Sequence, residues 1–185
     1  MKFFTSDWHI FHMRSLDWPA RSRFNGIDDM NAKIIDSMIL GIPVGSELYF
    51  IGDLSWAKDY VDYILDLCNQ RHIKFHWILG NHDSPTEAQK RKCASVSDMK
   101  EVRFNNHQIV LCHYPMTVWN KSHYNSWLLY GHIHAGMETT NRVEEKMTGK
   151  CLNVNCEFHD FKPWSEKELE EYMEARPDNF DKVSR

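Results

Sequence analysis

The sequence predicts an α/β fold built on a mixed sheet, or on two packed sheets, flanked by helices. Three observations point there. Short apolar runs alternate with segments of helical period in the first half of the chain, and strand pairs replace that alternation later. Of the 185 residues, 42% are hydrophobic and 13% aromatic, which suffices for a buried core. Domains typically run to roughly 100–200 residues, so residues 1–185 are expected to form one domain.

Each element has its own local signal. Lys2–Thr5, Glu47–Ile51, residues 73–79 and 109–112, and Trp127–Tyr130 read as strands. They are short, rich in β-branched or aromatic residues, and bounded by polar residues or Gly. Residues 28–40 have helical period: Met30, Ile34, Ile35 and Met38 share a face behind Asp28 and Asp29, which suit a helix start. Residues 58–69 repeat the pattern with Val61, Ile64, Leu65 and Cys68. Pro85 followed by residues 86–92 predicts a short helix with Pro in its first turn. Asn105-Asn106 predicts a tight hairpin turn between residues 101–104 and His107–Cys112. Residues 151–154 read as a further strand and 164–175 as a charged surface helix, with Glu166, Glu168, Glu170 and Glu171 on a solvated face.

Charge and composition exclude several classes. A formal charge of −4 gives no strong nucleic-acid signal, although a bound metal pair would supply local positive charge. No apolar run approaches the ~20 residues that span a membrane, and the first residues carry no charged leader before a long apolar stretch. The five cysteines are scattered without metal-type pairing and read as reduced, mostly buried thiols. A cytoplasmic protein is expected.

The chemistry sits where the strands end. The first runs into Ser6-Asp7-Trp8-His9, the second into Gly52-Asp53 and the third into Gly80-Asn81-His82-Asp83. The fourth runs into His113, and the next into Gly131-His132-Ile133-His134. In α/β sheets the carboxyl ends of strands form the ligand crevice, so these groups converge. They are Asp, His and Asn, a set that suits borderline to hard divalent ions. With more than four ligands, two ions are favoured over one, and Asp53 is the natural bridge. Extended backbone in Asp7-Trp8-His9 and His132-Ile133-His134 would place residues i and i+2 on one side, with Trp8 and Ile133 in the packing.

The ordered blocks D-x-H, G-D, G-N-H-D, an isolated His and G-H-x-H, over residues 7 to 134, resemble the calcineurin-like metallophosphoesterase superfamily. Asp29-Met30-Asn31, Asn-Val-Asn-Cys-Glu at 153–157, Pro163 and Ser165 also resemble a compact subgroup found in bacteria and their viruses. The resemblance implies a four-layer fold, with two mixed sheets packed together and flanked by helices. It implies that Asp7, His9 and His134 hold one metal and Asn81, His113 and His132 the other, with Asp53 bridging. It assigns His82 as the catalytic imidazole beside the scissile phosphate.

Two-metal chemistry then gives the mechanism. A water between two cations loses its proton near neutral pH and attacks in line, while His82 assists the leaving group and Asp83 orients His82. Mn, Fe, Zn and Ni all accept such ligands, with Mn the expected ion in vitro. The substrate expected is a small, nucleotide-like phosphate ester, a diester in preference to a monoester. The protein-phosphatase branch extends Gly-Asp with a further Asp and Arg. Here Leu54-Ser55-Trp56 follows, which argues against phosphoproteins. A nuclease and a non-catalytic interaction module on the same fold are the alternatives; retention of all seven ligands and His82 speaks against the module.

The flanking residues carry two readings each. His12 either lines the site or is structural. Arg21 and Arg23 either clamp phosphate or are solvated surface residues. Trp56 either packs against a base or aryl group or caps the core edge. Residues 114–124, with Trp119, Lys121 and His123, are expected to overhang the crevice.

Overall fold

Alternation along the strands decides the layering. The computed structural model describes residues 1–183. In β1 (Lys2–Thr5), Phe3 faces one apolar cluster and Phe4 another. The neighbouring β2 (Glu47–Ile51) repeats this with Leu48 and Phe50 against Tyr49 and Ile51, and β3 (Lys74–Ile78) with Phe75 and Trp77 against Ile78. Strands that are apolar on both faces must be covered on both. The parallel register Phe3↔Leu48↔Phe75 keeps like faces together. With β4 (Ser95–Ser97) and the antiparallel β9 (Trp164–Ser165), these strands form a sheet of order β4-β3-β2-β1-β9.

One face of this sheet is covered by α1 (Ile27–Ile35), which continues into a π-helical turn over Asp36–Leu40, and by α2 (Lys58–Gln70). The other face meets a second sheet of β5 (Met99–Phe104), β6 (His107–Cys112), β7 (Trp127–Tyr130) and β8 (Cys151–Asn153), in the order β5-β6-β7-β8. Ile109, Leu111, Trp127 and Leu129 pack there against Phe4, Tyr49, Ile51 and Ile78. Leu169 and Met173 of α5 (Glu166–Ala175) join this layer. On the outer face, Val110, Leu128 and Tyr130 pack with Trp119 and Met147 beside α4 (Glu138–Glu144). Two mixed sheets between helices are therefore the architecture, as the sequence predicts. Each fully buried Leu, Ile or Phe contributes about 1.5–3 kcal/mol, so the packed layers fix the separation of the loops at the strand ends.

Several local readings change. The helix expected over 164–175 begins at Glu166; Trp164 and Ser165 instead pair with Phe4 and Phe3, and the Ser165 side chain caps the helix in a box with Glu168. A two-residue strand has no period to read. Pro85 lies outside α3 (Glu87–Lys92), because Thr86 is the cap and accepts from Gln89 N. The three-residue β4 and the helix α4 carried too little pattern to be read.

The segment 114–124 overhangs the crevice only at its start. Strands β6 and β7 are parallel, so their connection must return the length of the sheet. Tyr114 stays beside His113 and His132, with ring centroids 5.2 and 5.0 Å away. Trp119 is buried in the outer core and donates to Ser126, while Lys121 reaches a surface hollow with Arg103 and His107.

Candidate metal centre

The loops after β1, β2, β3, β6 and β7 meet at one edge of the two sheets, and their polar side chains converge there. Asp7 N donates to Gly52 O at 2.8 Å and His9 N to Asp53 O at 3.1 Å, which lays the first loop along the second. The backbone is not extended at this point. Asp7, His9, Asp53 and His132 have φ of 57°, 51°, 64° and 70°, in the left-handed region that residues with side chains seldom adopt. The side chains thus converge by tight turning, a correction to the i, i+2 reading. Trp8 is buried as expected, while Ile133 is only half-buried. Gly52, at φ 92°, is also required by space: a Cβ there would collide with the His113 ring.

Asp7 is common to two compact groups of donors, and Asp53 stands between histidines of both. Asp53 Oδ2 lies 3.6 Å from His9 Nε2 and 3.4 Å from His113 Nε2. Asp7 Oδ1 lies 3.8 Å from His9 Nε2 and 3.7 Å from His134 Nε2. On the other side, Asn81 Oδ1 is 3.2 Å from His113 Nε2 and 3.0 Å from His132 Nδ1. Donors bound ~2.1 Å from one ion lie roughly 3–3.5 Å apart, near these separations. Asp7, His9 and His134 form one compact group and Asp7, Asp53 and His113 another.

The donor set fits divalent ions in further respects. His9 Nε2 is buried without a hydrogen-bond partner, a costly arrangement unless an ion takes its lone pair. His113 Nδ1 donates to Ile51 O at 2.8 Å and His134 Nδ1 to Glu157 Oε1 at 2.9 Å, which leaves both Nε2 lone pairs facing the carboxylates.

Electrostatics agree. For Asp7 and Asp53 burial acts to raise the pKa, but the neighbouring histidines outweigh it and hold both carboxyls below their usual range. Burial lowers His9 and His132. Burial also acts to lower His113, yet Asp53 and Asp7 outweigh it and push the imidazole up to about 9.

A pH dependence follows for the metal-free protein. A raised folded pKa contributes stability that is present below the ordinary imidazole value and lost as pH rises through about 9. A ligand nitrogen must be neutral, so metal binding expels this proton, and affinity rises with pH up to about 9. Calorimetric titration with Mn²⁺ at pH 7.5, in buffers of different ionisation enthalpy, should show about one proton released per chain. No release would refute this role for His113.

The sequence profile of calcineurin-like phosphoesterases matches residues 3–179. The chain belongs to that family. An uncharacterized protein of Methanocaldococcus jannaschii is 24% identical over 167 residues, or 88% of this chain and 85% of the relative. The crystal structure of a protein of unknown function from Aquifex aeolicus superposes with a TM-score of 0.72 at 24% identity, covering 93% of this chain and 98% of the other. YfcE, a phosphoesterase from E. coli, overlaps more loosely, with a TM-score of 0.40 at 18% identity over 83% of this chain and 77% of that one. Among the described residues, no helix is long and apolar enough to cross a membrane.

Around these candidate ligands, several side chains differ from their sequence-based assignments. Asp83 does not orient His82. Its carboxylate accepts from the backbone N–H groups of Asp53, Leu54 and Gly80 and from Trp77 Nε1, at 2.8–3.0 Å, and so ties the second and third loops together. Burial raises its pKa against those donors. Arg21 is neither a phosphate clamp nor a solvated residue: it is fully buried and paired with Glu157. Arg23 is half-exposed, and its guanidinium pairs with Asp160 at 2.7 Å.

His82, His12 and Trp56 do lie together. Trp56 is 49% exposed, stacks on His12 at 4.1 Å and lies 4.6 Å from the His82 ring. The His82 backbone N–H donates to Asp53 Oδ1 at 3.0 Å, which fixes the loop and leaves the imidazole exposed. Burial, then His9 and His82, push His12 down to about 4.

Trp18 and Glu157 were given no role at the site by the sequence, and Arg21 was given a different one. Trp18 packs 4.1 Å from the His134 ring, and Glu157 and Arg21 support that same loop. Glu157 had a legible signal, since it ends the 153–157 motif directly after β8.

Proposed function

We propose that this calcineurin-like phosphoesterase hydrolyses small phosphodiesters of nucleotide type at a dinuclear centre. Asp7, His9 and His134 would hold one ion, Asn81, His113 and His132 the other, and Asp53 both. The placement of Asp53 Oδ2 between His9 and His113 carries the proposal. Bound Mn²⁺, Fe, Zn or Ni would lower the pKa of a coordinated water and take up charge from the phosphate oxygens. The chain's own residues do the rest. Asp53 sets the spacing of the two ligand groups and anchors the His82 backbone. The exposed His82 imidazole protonates the leaving oxygen. Trp56 beside it offers an apolar face for a base, which favours a diester, whose leaving group would rest on that side. The same reading takes residues 1–185 as one domain acting in the cytoplasm. The charge of −4 favours small esters over long nucleic acid.

The test compares bis-p-nitrophenyl phosphate with p-nitrophenyl phosphate, using metal-free protein reloaded with Mn²⁺. The diester is expected to turn over faster. Faster monoester turnover would refute the diester assignment. No turnover with any of the four metals, despite two ions bound per chain, would refute the enzyme and turn attention to an interaction role.

A further inference from the structure

The side chains of Arg21 and Glu157 are both fully buried, and neither belongs to the ligand set. A buried ion pair is weak evidence for stability, because removing two charges from water offsets their attraction. More telling is what this pair joins. Glu157 Oε1 accepts from Arg21 Nε and, at 2.9 Å, from His134 Nδ1, while Oε2 accepts from Ala135 N at 2.9 Å. The arginine fork turns the other way, with Nη1 donating to Trp8 O at 2.8 Å and Nη2 to Asp7 O. Two side chains therefore link the Asp7-Trp8-His9 loop to the His134-Ala135 loop. These loops carry Asp7, His9 and His134. Among the described hydrogen bonds and ion pairs, none joins Arg21 or Glu157 to Asn81, His113 or His132.

We infer that Arg21 and Glu157 are a positioning pair for one ion of the two, the one held by Asp7, His9 and His134. The inference rests on the dinuclear reading above. Glu157 fixes the His134 tautomer, so that Nε2 presents its lone pair towards Asp7. Arg21 holds two successive carbonyls of the first loop, whose backbone at Asp7 has a φ of 57° and would otherwise relax towards ordinary conformations. The Asn81, His113 and His132 ion depends instead on Ile51 O and the third loop.

The test is metal binding, not turnover. Equilibrium dialysis with Mn²⁺ would be run on the wild type, Glu157→Gln and the double variant Arg21→Met/Glu157→Met, which leaves no unpaired buried charge. Circular dichroism identifies the folded variants, and the double variant serves if Glu157→Gln does not fold. The wild type should hold two ions per chain. The variants should keep one at unchanged affinity and bind the other about 10–100-fold more weakly. The spin-coupled manganese resonance of a pair should then give way to that of an isolated ion. Asn81→Ala should weaken the other ion, and Asn81→Ala combined with Glu157→Gln should hold neither tightly. One tight ion surviving in that combination would overturn the selectivity, since both changes would then act on the same ion. Folded variants that bind two ions as the wild type does would overturn the positioning role alone. A wild type that holds fewer than two would overturn the dinuclear reading and this inference with it.

Discussion

Asp53→Asn is expected to lower kcat/KM on the diester by about 10³-fold and to reduce the Mn²⁺ held per chain below two. The substitution preserves size and one oxygen but removes the negative charge placed between the two ligand groups, 3.6 Å from His9 and 3.4 Å from His113. Two cations in so small a space would repel each other, and a carboxylate between them would relieve that repulsion. A second readout comes with it. Asp53 is foremost among the groups that raise His113 against its burial, so the imidazole should fall below about 9. Proton release on metal binding should shrink accordingly. Initial rates, dialysis and calorimetry on one preparation check all three. Wild-type metal content with wild-type rates would remove Asp53 from the centre.

His82→Ala is expected to leave both ions in place and to lower kcat by about 10²–10⁴-fold. The side chain is exposed beside Trp56, and only its backbone N–H engages Asp53. Truncation should therefore spare the ligand geometry. The size of the loss should depend on the leaving group. A nitrophenolate departs without a proton, so its ester should lose least, whereas phenyl or alkyl phosphodiesters, whose leaving oxygens need one, should lose most. Equal losses across that series would argue that His82 positions substrate and does not donate a proton. Loss of metal in the variant would place the residue among the ligands.

Local pattern and tertiary structure divide this protein between them. The apolar runs of β1, β2 and β3, the helical period of residues 28–40 and 58–69, and the Asn105-Asn106 turn are all properties of short segments, and they were legible because burial and tight turning leave a mark in the residues themselves. The convergence of Asp7, His9, Asp53, Asn81, His113, His132 and His134 was legible for a related reason. Parallel strands of a sheet end on the same side, so the polar residues that close β1, β2 and β3 meet in one sheet and those that close β6 and β7 meet in the other, and the packing of the two sheets brings both sets together.

What lay outside local pattern was the identity of partners. Asp83 reads as a neighbour of His82, but its carboxylate is aimed at backbone N–H groups of a loop thirty residues away. Arg21 reads as surface, and its full burial makes sense only when Glu157 arrives after β8. The overhang expected of residues 114–124 is confined to their start because β7 runs parallel to β6, which no local signal states. By itself the sequence determined the layers, the strand ends and the polar residues gathered there, because those follow from burial and residue chemistry. Only the tertiary structure decided which buried donor meets which acceptor, because a hydrogen bond depends on direction and a few tenths of an ångström, and both are set by packing between segments far apart in the chain.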